Sequence, residues 1–274
     1  MTIAQALARA AAQGIARLDA QLLLLHALGR PGTDRAWLIA HDTDAVDAAA
    51  LARFGQACAG RRGGEPVAYL TGHKEFFGLD LAVDARVLVP RPDTETLVDW
   101  ALEVLPGVAQ ARVADLGTGS GAIALAIARA RPDATVTAVD RSAGAADVAR
   151  ANARRLGLDV EVREGDWLDG CGVFDLVVSN PPYIADGDPH LAALGAEPLS
   201  SLAAGPDGLD AIRRIVEQAL DHLAPGGWLL LEHGWDQAAP VRDLLLARGF
   251  TAVASRRDLA GIERCTGGRR VERG

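Results

Sequence analysis

The sequence predicts an α/β protein in which a mostly parallel β-sheet carries helices on both faces and follows a small helical bundle. Three observations lead to this fold class. From residue 111 onward, short apolar runs alternate with longer segments of helical spacing, which is typical of parallel strands joined by crossover helices. A glycine-rich stretch, residues 115–121, connects one such run to a helix. Residues 2 to about 60 have the spacing of several short helices.

The charge balance and the cysteine and histidine patterns restrict the function classes. The 28 Lys and Arg residues against 36 Asp and Glu residues give a net charge of −8 at pH 7, which argues against a basic nucleic-acid clamp. No stretch approaches the roughly 20 apolar residues that cross a bilayer, and the start of the chain lacks a continuous signal-peptide core. The 3 cysteines are isolated, and no HxxxH or HExxH spacing occurs. We therefore expect a cytoplasmic protein without a metal site, acting on neither membranes nor nucleic acid.

Residues 1–64 are predicted to form a bundle of four short helices. Thr2 and Gln5 make a capping-box pattern before the first helix, which ends near Gly14. The other three helices are predicted over 19–29, after a cap at Thr33 or Asp34, and from Asp44 to Gly63. Because no chemical cluster falls in this segment, we interpret it as a lid or as a module that docks the substrate protein.

Residues 65–90 are predicted to be a hairpin linker, since Pro66 and two glycines interrupt alternating apolar and polar residues. The catalytic domain is predicted to span 91–274 and to begin with a helix whose N-cap is Asp93. Its predicted strands are 112–115, 135–140, 160–163, 175–179, 228–232 and 251–255. A last run, from about 264 to 271, is interpreted as an antiparallel edge strand.

The glycine-rich stretch predicts a nucleotide-type cofactor. Glycines let the backbone turn sharply and approach a ligand, and the following helix start offers unpaired N–H groups. The spacing also fits a dinucleotide loop, but the carboxylate of Asp115 suits the cationic amino and sulfonium groups of S-adenosylmethionine and would repel a pyrophosphate. The candidate cofactor-binding residues here are Asp115, Gly117, Thr118, Gly119, Ser120 and Gly121.

Two further acidic positions extend this prediction. Asp140 ends the next strand, where a carboxylate accepts both hydroxyls of a ribose; as an alternative, it caps the following helix. Asp166 and Trp167 follow a third strand, where the Asp accepts from an adenine amino group and the Trp supplies a flat wall or a backbone N–H. An alternative is a loop with a half-buried Trp.

The motif Asn180-Pro181-Pro182-Tyr183 directly follows an apolar strand. Two prolines fix the backbone and remove two N–H donors, which leaves a rigid loop of acceptors. The Asn180 side-chain oxygen and the Pro181 carbonyl can each accept one hydrogen from a planar –NH₂ group while the Tyr183 ring packs on its face. We predict Asn180, Pro181 and Tyr183 as catalytic and all four residues as substrate-binding, for an amide or an exocyclic base amine.

The chain resembles the release-factor glutamine N5-methyltransferases, which are Class I S-adenosylmethionine-dependent enzymes with a seven-stranded catalytic domain. The motifs that carry this resemblance are GEPVAYLTGHKEFFGLDL (64–81), LVPRPDTE (88–95), DLGTGSGAIALAIA (115–128), GDW (165–167), VSNPPYI (178–184), EPLSSLAAGPDGL (197–209) and LLLEHGW (229–235). The resemblance implies transfer of a methyl group from S-adenosylmethionine to the glutamine side-chain nitrogen in the GGQ motif of class 1 peptide-chain release factors, with S-adenosylhomocysteine as product. It places the cofactor on the glycine-rich stretch, Asp140 and Trp167, with Asn180 beside both methyl donor and substrate. We expect a monomer.

Four alternatives remain open on the sequence. Ribosomal-protein glutamine methyltransferases and adenine-N6 DNA or RNA methyltransferases share the NPPY motif, and the latter would hold a flipped base. A non-catalytic binding module would keep the cofactor fold and dock a partner through the bundle. A nicotinamide enzyme is supported by loop spacing alone.

Overall fold

The computed structural model describes residues 1–105 and 109–271 of the chain. It divides into two compact units, Met1–His73 and Lys74–Gly274. None of the helices in the described residues is long and apolar enough to cross a membrane. The predicted segment bounds of 1–64, 65–90 and 91–274 stay predictions, and the last three residues of the third segment lie outside the described residues.

The first unit contains five helices within the described residues. They are α1 (Ile3–Ala12), α2 (Arg17–Ala27), α3 (Arg35–Ala40), α4 (Ala48–Arg62) and α5 (Val67–Thr71). The capping box at the start of α1 is confirmed, because the Thr2 side chain accepts from the Gln5 N–H and the Gln5 side chain accepts from the Thr2 N–H. The predicted start of the fourth helix at Asp44 is wrong, since Asp47 is the N-cap and accepts from the Ala50 N–H at 2.8 Å.

The core of this unit is built by the apolar faces of α1, α2 and α4. Its centre is the run Leu23, Leu24 and Leu25, each fully buried, and burying a side chain of this size stabilises the fold by roughly 1.5–3 kcal/mol. Val67 and Leu70 of α5 pack against the same core. The helical packing therefore continues past residue 64.

The second unit begins within a hairpin of β1 (His73–Phe76) and β2 (Leu79–Ala82). Its two turn residues, Phe77 and Gly78, both have positive φ, at 50° and 74°, as a tight two-residue hairpin turn requires. The expected N-cap at Asp93 is wrong. Asp93 lies inside a 3₁₀ turn, Pro92–Thr94, and α6 (Glu95–Val104) begins after it with Thr94 as its N-cap.

A seven-stranded sheet forms the body of the second unit, in the order β5-β4-β3-β6-β7-β9-β8. The strands are β3 (Arg112–Leu116), β4 (Thr135–Asp140), β5 (Glu161–Glu164), β6 (Phe174–Ser179), β7 (Leu223–Glu232), β8 (Thr251–Arg257) and β9 (Glu263–Arg269). The first five in this order are mutually parallel, and β9 is antiparallel to both of its neighbours. The mostly parallel sheet and the antiparallel direction of β9 are confirmed.

The predicted edge position of the last strand is wrong, because β9 lies between β7 and β8. Gly267 of β9 explains how it fits there. A Cβ at Gly267 would lie 2.4 Å from a Leu230 side-chain carbon and 3.0 Å from the Trp100 ring. A strand without side chains at this point can pack directly beneath α6 and beside β7.

Further helical segments connect the strands along the chain. They are α7 (Ala122–Ala130), α8 (Ala143–Leu156), α9 (His190–Ala193), a 3₁₀ turn at Leu199–Ser201, α10 (Asp210–His222) and α11 (Ala238–Arg248). The strand order reverses at β3, with β4 on one side and β6 on the other. In open α/β sheets, ligands bind beyond the carboxyl ends of the strands at such a reversal.

Candidate active site

A cavity of about 340 Å³ lies at the carboxyl ends of these central strands. Its volume falls within the roughly 300–1,000 Å³ of typical small-molecule sites. The lining includes Gly117, Gly119, Asp140, Trp167, Asn180 and Pro182. The structure therefore brings Asp140 together with residues of the glycine-rich stretch, the 165–167 turn and the NPPY loop.

The loop from β3 to α7 has the sharp backbone path that its glycines predict. Gly117, Gly119 and Gly121 have φ values of 68°, 55° and 85°, a region that side chains disfavour. A Cβ at Gly121 would also lie 2.9 Å from the Leu125 side chain. The loop is tied to the next strand, because the Gly117 and Thr118 N–H groups both donate to the Val139 carbonyl, at 2.8 and 3.0 Å.

Asp115 shapes this loop from the interior. Its side chain is fully buried, and Oδ2 accepts from the Thr118 hydroxyl at 2.6 Å and from the Ala124 N–H at 3.1 Å. Within the described chain, Oδ1 has no hydrogen-bond partner. Burial raises the pKa of the Asp115 carboxyl to about 7. Asp115 does not line the cavity. Its hydrogen bonds therefore act on the conformation of the loop.

Asp140 lines the cavity and holds the loops on either side of itself. Its Oδ2 accepts from the Gly119 N–H at 2.9 Å, and its Oδ1 accepts from the Ser142 N–H at 2.8 Å. Ser142, not Asp140, is the N-cap of α8. A carboxylate oxygen has more than one acceptor position, so each oxygen can still accept a ligand hydroxyl.

Trp167 and Asp166 form another side of the cavity. Trp167 adopts a positive φ of 53°, and its ring lies against Gly117, where an added Cβ would be 3.5 Å away. Asp166 is paired with Arg214 at 2.8 Å. Trp167 therefore lines the cavity beside the glycine loop, and its role as a flat wall stays a prediction. The Asp is held by an arginine that also lines the cavity.

Asn180 stands where the large cavity meets a smaller one of about 60 Å³ and lines both. The preceding Ser179 hydroxyl donates to the Leu116 carbonyl at 2.7 Å and thereby joins the ends of β6 and β3. The Asn180 amide nitrogen Nδ2 donates to the Thr94 hydroxyl at 3.1 Å. This contact leaves Oδ1 as the acceptor end of the amide.

The rest of the NPPY loop is held by backbone contacts. The Tyr183 carbonyl accepts from the Gln237 side-chain amide at 3.0 Å, and Ile184 pairs with residues 202–204. Tyr183 lines the smaller cavity. Burial and the nearby Glu232 raise the pKa of its hydroxyl, which keeps the ring neutral.

Several predicted residues contribute to the loops without lining either cavity. These are Asp115, Thr118, Ser120, Gly121 and Pro181. Ser120 is buried, and its carbonyl accepts from the Asn152 side chain at 2.9 Å. No three His, Cys, Asp or Glu side chains of the described chain are grouped as a metal site.

Two buried glutamates brace the site. Glu232, at the end of β7, is buried beside Asn180, because Leu231 pairs with Ser179 in the sheet, and Thr94 and Asn180 both lower the pKa of its carboxyl. Glu197 is also buried, pairs with Arg91 and accepts from the Val89 N–H at 3.0 Å. Both glutamates occur in quoted motifs, LLLEHGW and EPLSS, but only the folded chain shows what they contact.

Two protein-family models match the chain. The PrmC N-terminal domain matches residues 2–72, and the Methyltransferase small domain matches residues 94–196. The crystal structure of a methyltransferase from Pyrococcus furiosus superposes with a TM-score of 0.53 at 22% identity, covering 80% of this chain and 97% of that one. This likeness shows the Class I methyltransferase fold.

Full-length relatives show the family. A release factor glutamine methyltransferase from Bordetella pertussis is 52% identical over 260 residues, covering 93% of this chain and 95% of the relative. One from Pseudomonas aeruginosa is 53% identical over 260 residues, covering 93% and 92%. The chain therefore belongs to the release factor glutamine methyltransferase family.

Proposed function

We propose that this enzyme transfers a methyl group from S-adenosylmethionine to the side-chain amide nitrogen of the glutamine in the GGQ motif of class 1 release factors. The observation that carries the proposal is the position of Asn180, an amide acceptor at the junction of a cofactor-sized cavity and a second, smaller one. The family supports the glutamine as target. We expect a cytoplasmic location, since the proposed substrate acts in translation termination. We also expect a monomer.

The cavity residues fit S-adenosylmethionine. The Asp140 carboxylate would accept the ribose hydroxyls, the Trp167 ring would pack on the adenine, and the glycine loop lets the backbone approach the amino-acid part. Asp166 stays as the proposed acceptor for the adenine amino group. For Asp115 we propose an indirect role, in which its buried carboxyl fixes the conformation of the glycine loop. When bound, the cofactor supplies an electrophilic methyl group on a positively charged sulfur.

The NPPY loop would orient the glutamine amide for attack. Asn180 Oδ1 and the Pro181 carbonyl each accept one amide hydrogen, while Pro182 and Tyr183 enclose the planar group. An amide nitrogen is a poor nucleophile because its lone pair is delocalised into the carbonyl, so orientation is decisive and can contribute on the order of 7–11 kcal/mol at best.

The same acceptors stabilise the developing charge. As the N–C bond formed and the bond from the methyl carbon to sulfur broke, leaving the neutral thioether of S-adenosylhomocysteine, positive charge would grow on the amide nitrogen, and its hydrogen bonds to Asn180 and Pro181 would strengthen. The nitrogen would then release one proton to water, because this proton becomes acidic only once the bond is forming. A strong base is therefore not required, which is consistent with a loop that offers neutral acceptors.

Mass spectrometry of a release factor incubated with the enzyme and S-adenosylmethionine tests the proposal. We expect a gain of one methyl group on the GGQ glutamine and none on a release factor whose GGQ glutamine is replaced by alanine. Methylation of a ribosomal protein or of an adenine-containing oligonucleotide in place of the release factor would contradict it.

A further inference from the structure

A buried carboxyl group adjoins the proposed catalytic amide without reaching either cavity. Glu232 is 1% exposed, and its Oε2 has no hydrogen-bond partner among residues 1–105 and 109–271. Burying a carboxyl with an unpaired oxygen is unfavourable by at least about 1–3 kcal/mol. A residue of this kind at the back of a reactive site needs a reason beyond packing.

The polar side chains behind Asn180 give its amide one direction. Asn180 Nδ2 donates to the Thr94 hydroxyl at 3.1 Å. Glu232 lies at the adjacent strand end, because Leu231 pairs in register with Ser179, and Thr94 and Asn180 both lower the pKa of its carboxyl. A hydroxyl that accepts from an amide can donate its own proton onward. Because a carboxylate accepts only, donation from Thr94 toward Glu232 sets one polarity, with the nitrogen of Asn180 facing inward.

We propose that Glu232 is a positioning residue for methyl transfer. Together with Thr94, it holds the Asn180 amide so that Oδ1 faces the substrate amide instead of Nδ2. A flipped Asn180 would present two N–H donors to the N–H groups of the glutamine and would repel them. The inference rests on the proposed function for the identity of the substrate.

Glu232 is surrounded by groups that modulate its charge. Asp93 approaches from the 3₁₀ turn, Arg264 and Cys265 from β9, and Tyr183 from the NPPY loop. Burial raises the pKa of the Glu232 carboxyl to about 7. Above this pH the ionised carboxylate therefore predominates. Because it accepts hydrogen bonds more strongly than the neutral acid, it should hold the Asn180 amide more firmly in one orientation.

The first test is spectroscopic and needs no turnover. In wild-type protein, the Asn180 side-chain amide resonance, identified by its loss in Asn180→Asp, should shift with a midpoint near pH 7. In Glu232→Gln this titration should vanish, and in the matched control Glu217→Gln, an exposed residue of α10, it should persist. An Asn180 resonance that ignores pH, or that titrates unchanged in Glu232→Gln, overturns the inference.

The second test is a kinetic cycle. Glu232→Gln and Thr94→Val should each lower kcat about 10- to 100-fold, the effect of one hydrogen bond to a charged group, with cofactor Kd unchanged. In an Asn180→Ala background, neither should reduce kcat further. A full additional loss there would assign Glu232 an independent structural role. If wild type fails to methylate release factors, the proposed function fails, and the spectroscopic test still decides the role of Glu232.

Discussion

At the residue scale, the proposed reaction depends on the side-chain oxygen of Asn180 as an acceptor. Asn180→Ala removes that acceptor. It leaves the side chains of Asp140 and Trp167, which we propose to hold the cofactor, in place. We expect kcat to fall about 100-fold or more, as when one electrostatic stabiliser is removed from an active site, with cofactor Kd largely kept. Single-turnover methylation and calorimetry measure the two quantities. Asp186→Ala, an exposed position of the following loop, is the control, and equal activity in both variants would exclude Asn180 from catalysis.

Asp140 should show the complementary pattern. Asp140→Ala removes the proposed ribose acceptor and the hydrogen bonds to the Gly119 and Ser142 N–H groups. We expect cofactor Kd to weaken about 10- to 100-fold, since hydrogen bonds to charged groups contribute about 1.5–3 kcal/mol. Calorimetry checks this against Asp147→Ala, an exposed residue of α8. An unaltered dissociation constant would remove Asp140 from the site.

Sequence reasoning identified those cavity residues that follow a strand directly. Asp140 and Asn180 each stand at or just beyond a strand end, so their shared edge follows from the parallel topology alone. Thr94 could not be found in this way, because the Asn180–Thr94 contact joins residues 86 apart. Glu232 also ends a predicted strand, but only the fold shows that its carboxyl is buried beside Asn180. Asp115 was assigned to the cofactor by charge, and only the fold shows that its carboxyl is buried.

At the scale of elements, the NPPY loop relies on a glycine from a distant segment. Gly208 has a φ of 72°, and a Cβ there would lie 2.2 Å from the Tyr183 carbonyl oxygen. Gly208→Ala should therefore displace the loop and lower both activity and the melting temperature. Gly249→Ala is a matched control, because its φ is 100° but an added Cβ meets nothing within 4 Å.

Calorimetric melting and initial rates of the two glycine variants decide this point. For Gly249→Ala we expect only the strain of a positive φ, about 1–2 kcal/mol, with activity retained. Equal losses in the two variants would mean that the Tyr183 contact does not matter for the loop.

Strand order was the least predictable feature at this scale. The direction of β9 followed from the missing helix before it, whereas its place between β7 and β8 depends on Gly267 fitting beneath Trp100. Such a fit involves three elements far apart in sequence. Local patterns carry no information about it.

At the scale of the whole molecule, the buried acids make stability depend on pH. The pKa of Asp115 in the folded state is raised from 3.8 to about 7, so the folded state binds more protons than the unfolded state between these values. Its contribution to stability is fully present below pH 3.8 and is lost as pH rises through about 7. Burial lowers the pKa of His233. Its contribution to stability has the opposite pH dependence, because it is lost as pH falls below the ordinary pKa of the imidazole.

The difference between wild type and Asp115→Asn isolates the first effect. We expect the free energy of unfolding, from urea titrations, to fall more steeply in wild type than in Asp115→Asn as pH rises from mildly acidic to mildly basic. His233 contributes equally to both proteins and cancels. Parallel pH profiles for the two proteins would show that Asp115 is not a source of the dependence.

The claim on which the rest depends is that the NPPY loop holds a carboxamide against the cofactor. A crystal structure with S-adenosylhomocysteine and a peptide containing the GGQ motif tests it most directly. We predict the coenzyme in the cavity lined by Gly117, Asp140 and Trp167, and the glutamine nitrogen within hydrogen-bond distance of both Asn180 Oδ1 and the Pro181 carbonyl oxygen. A coenzyme bound elsewhere, or a glutamine side chain outside the reach of Asn180, would contradict the account.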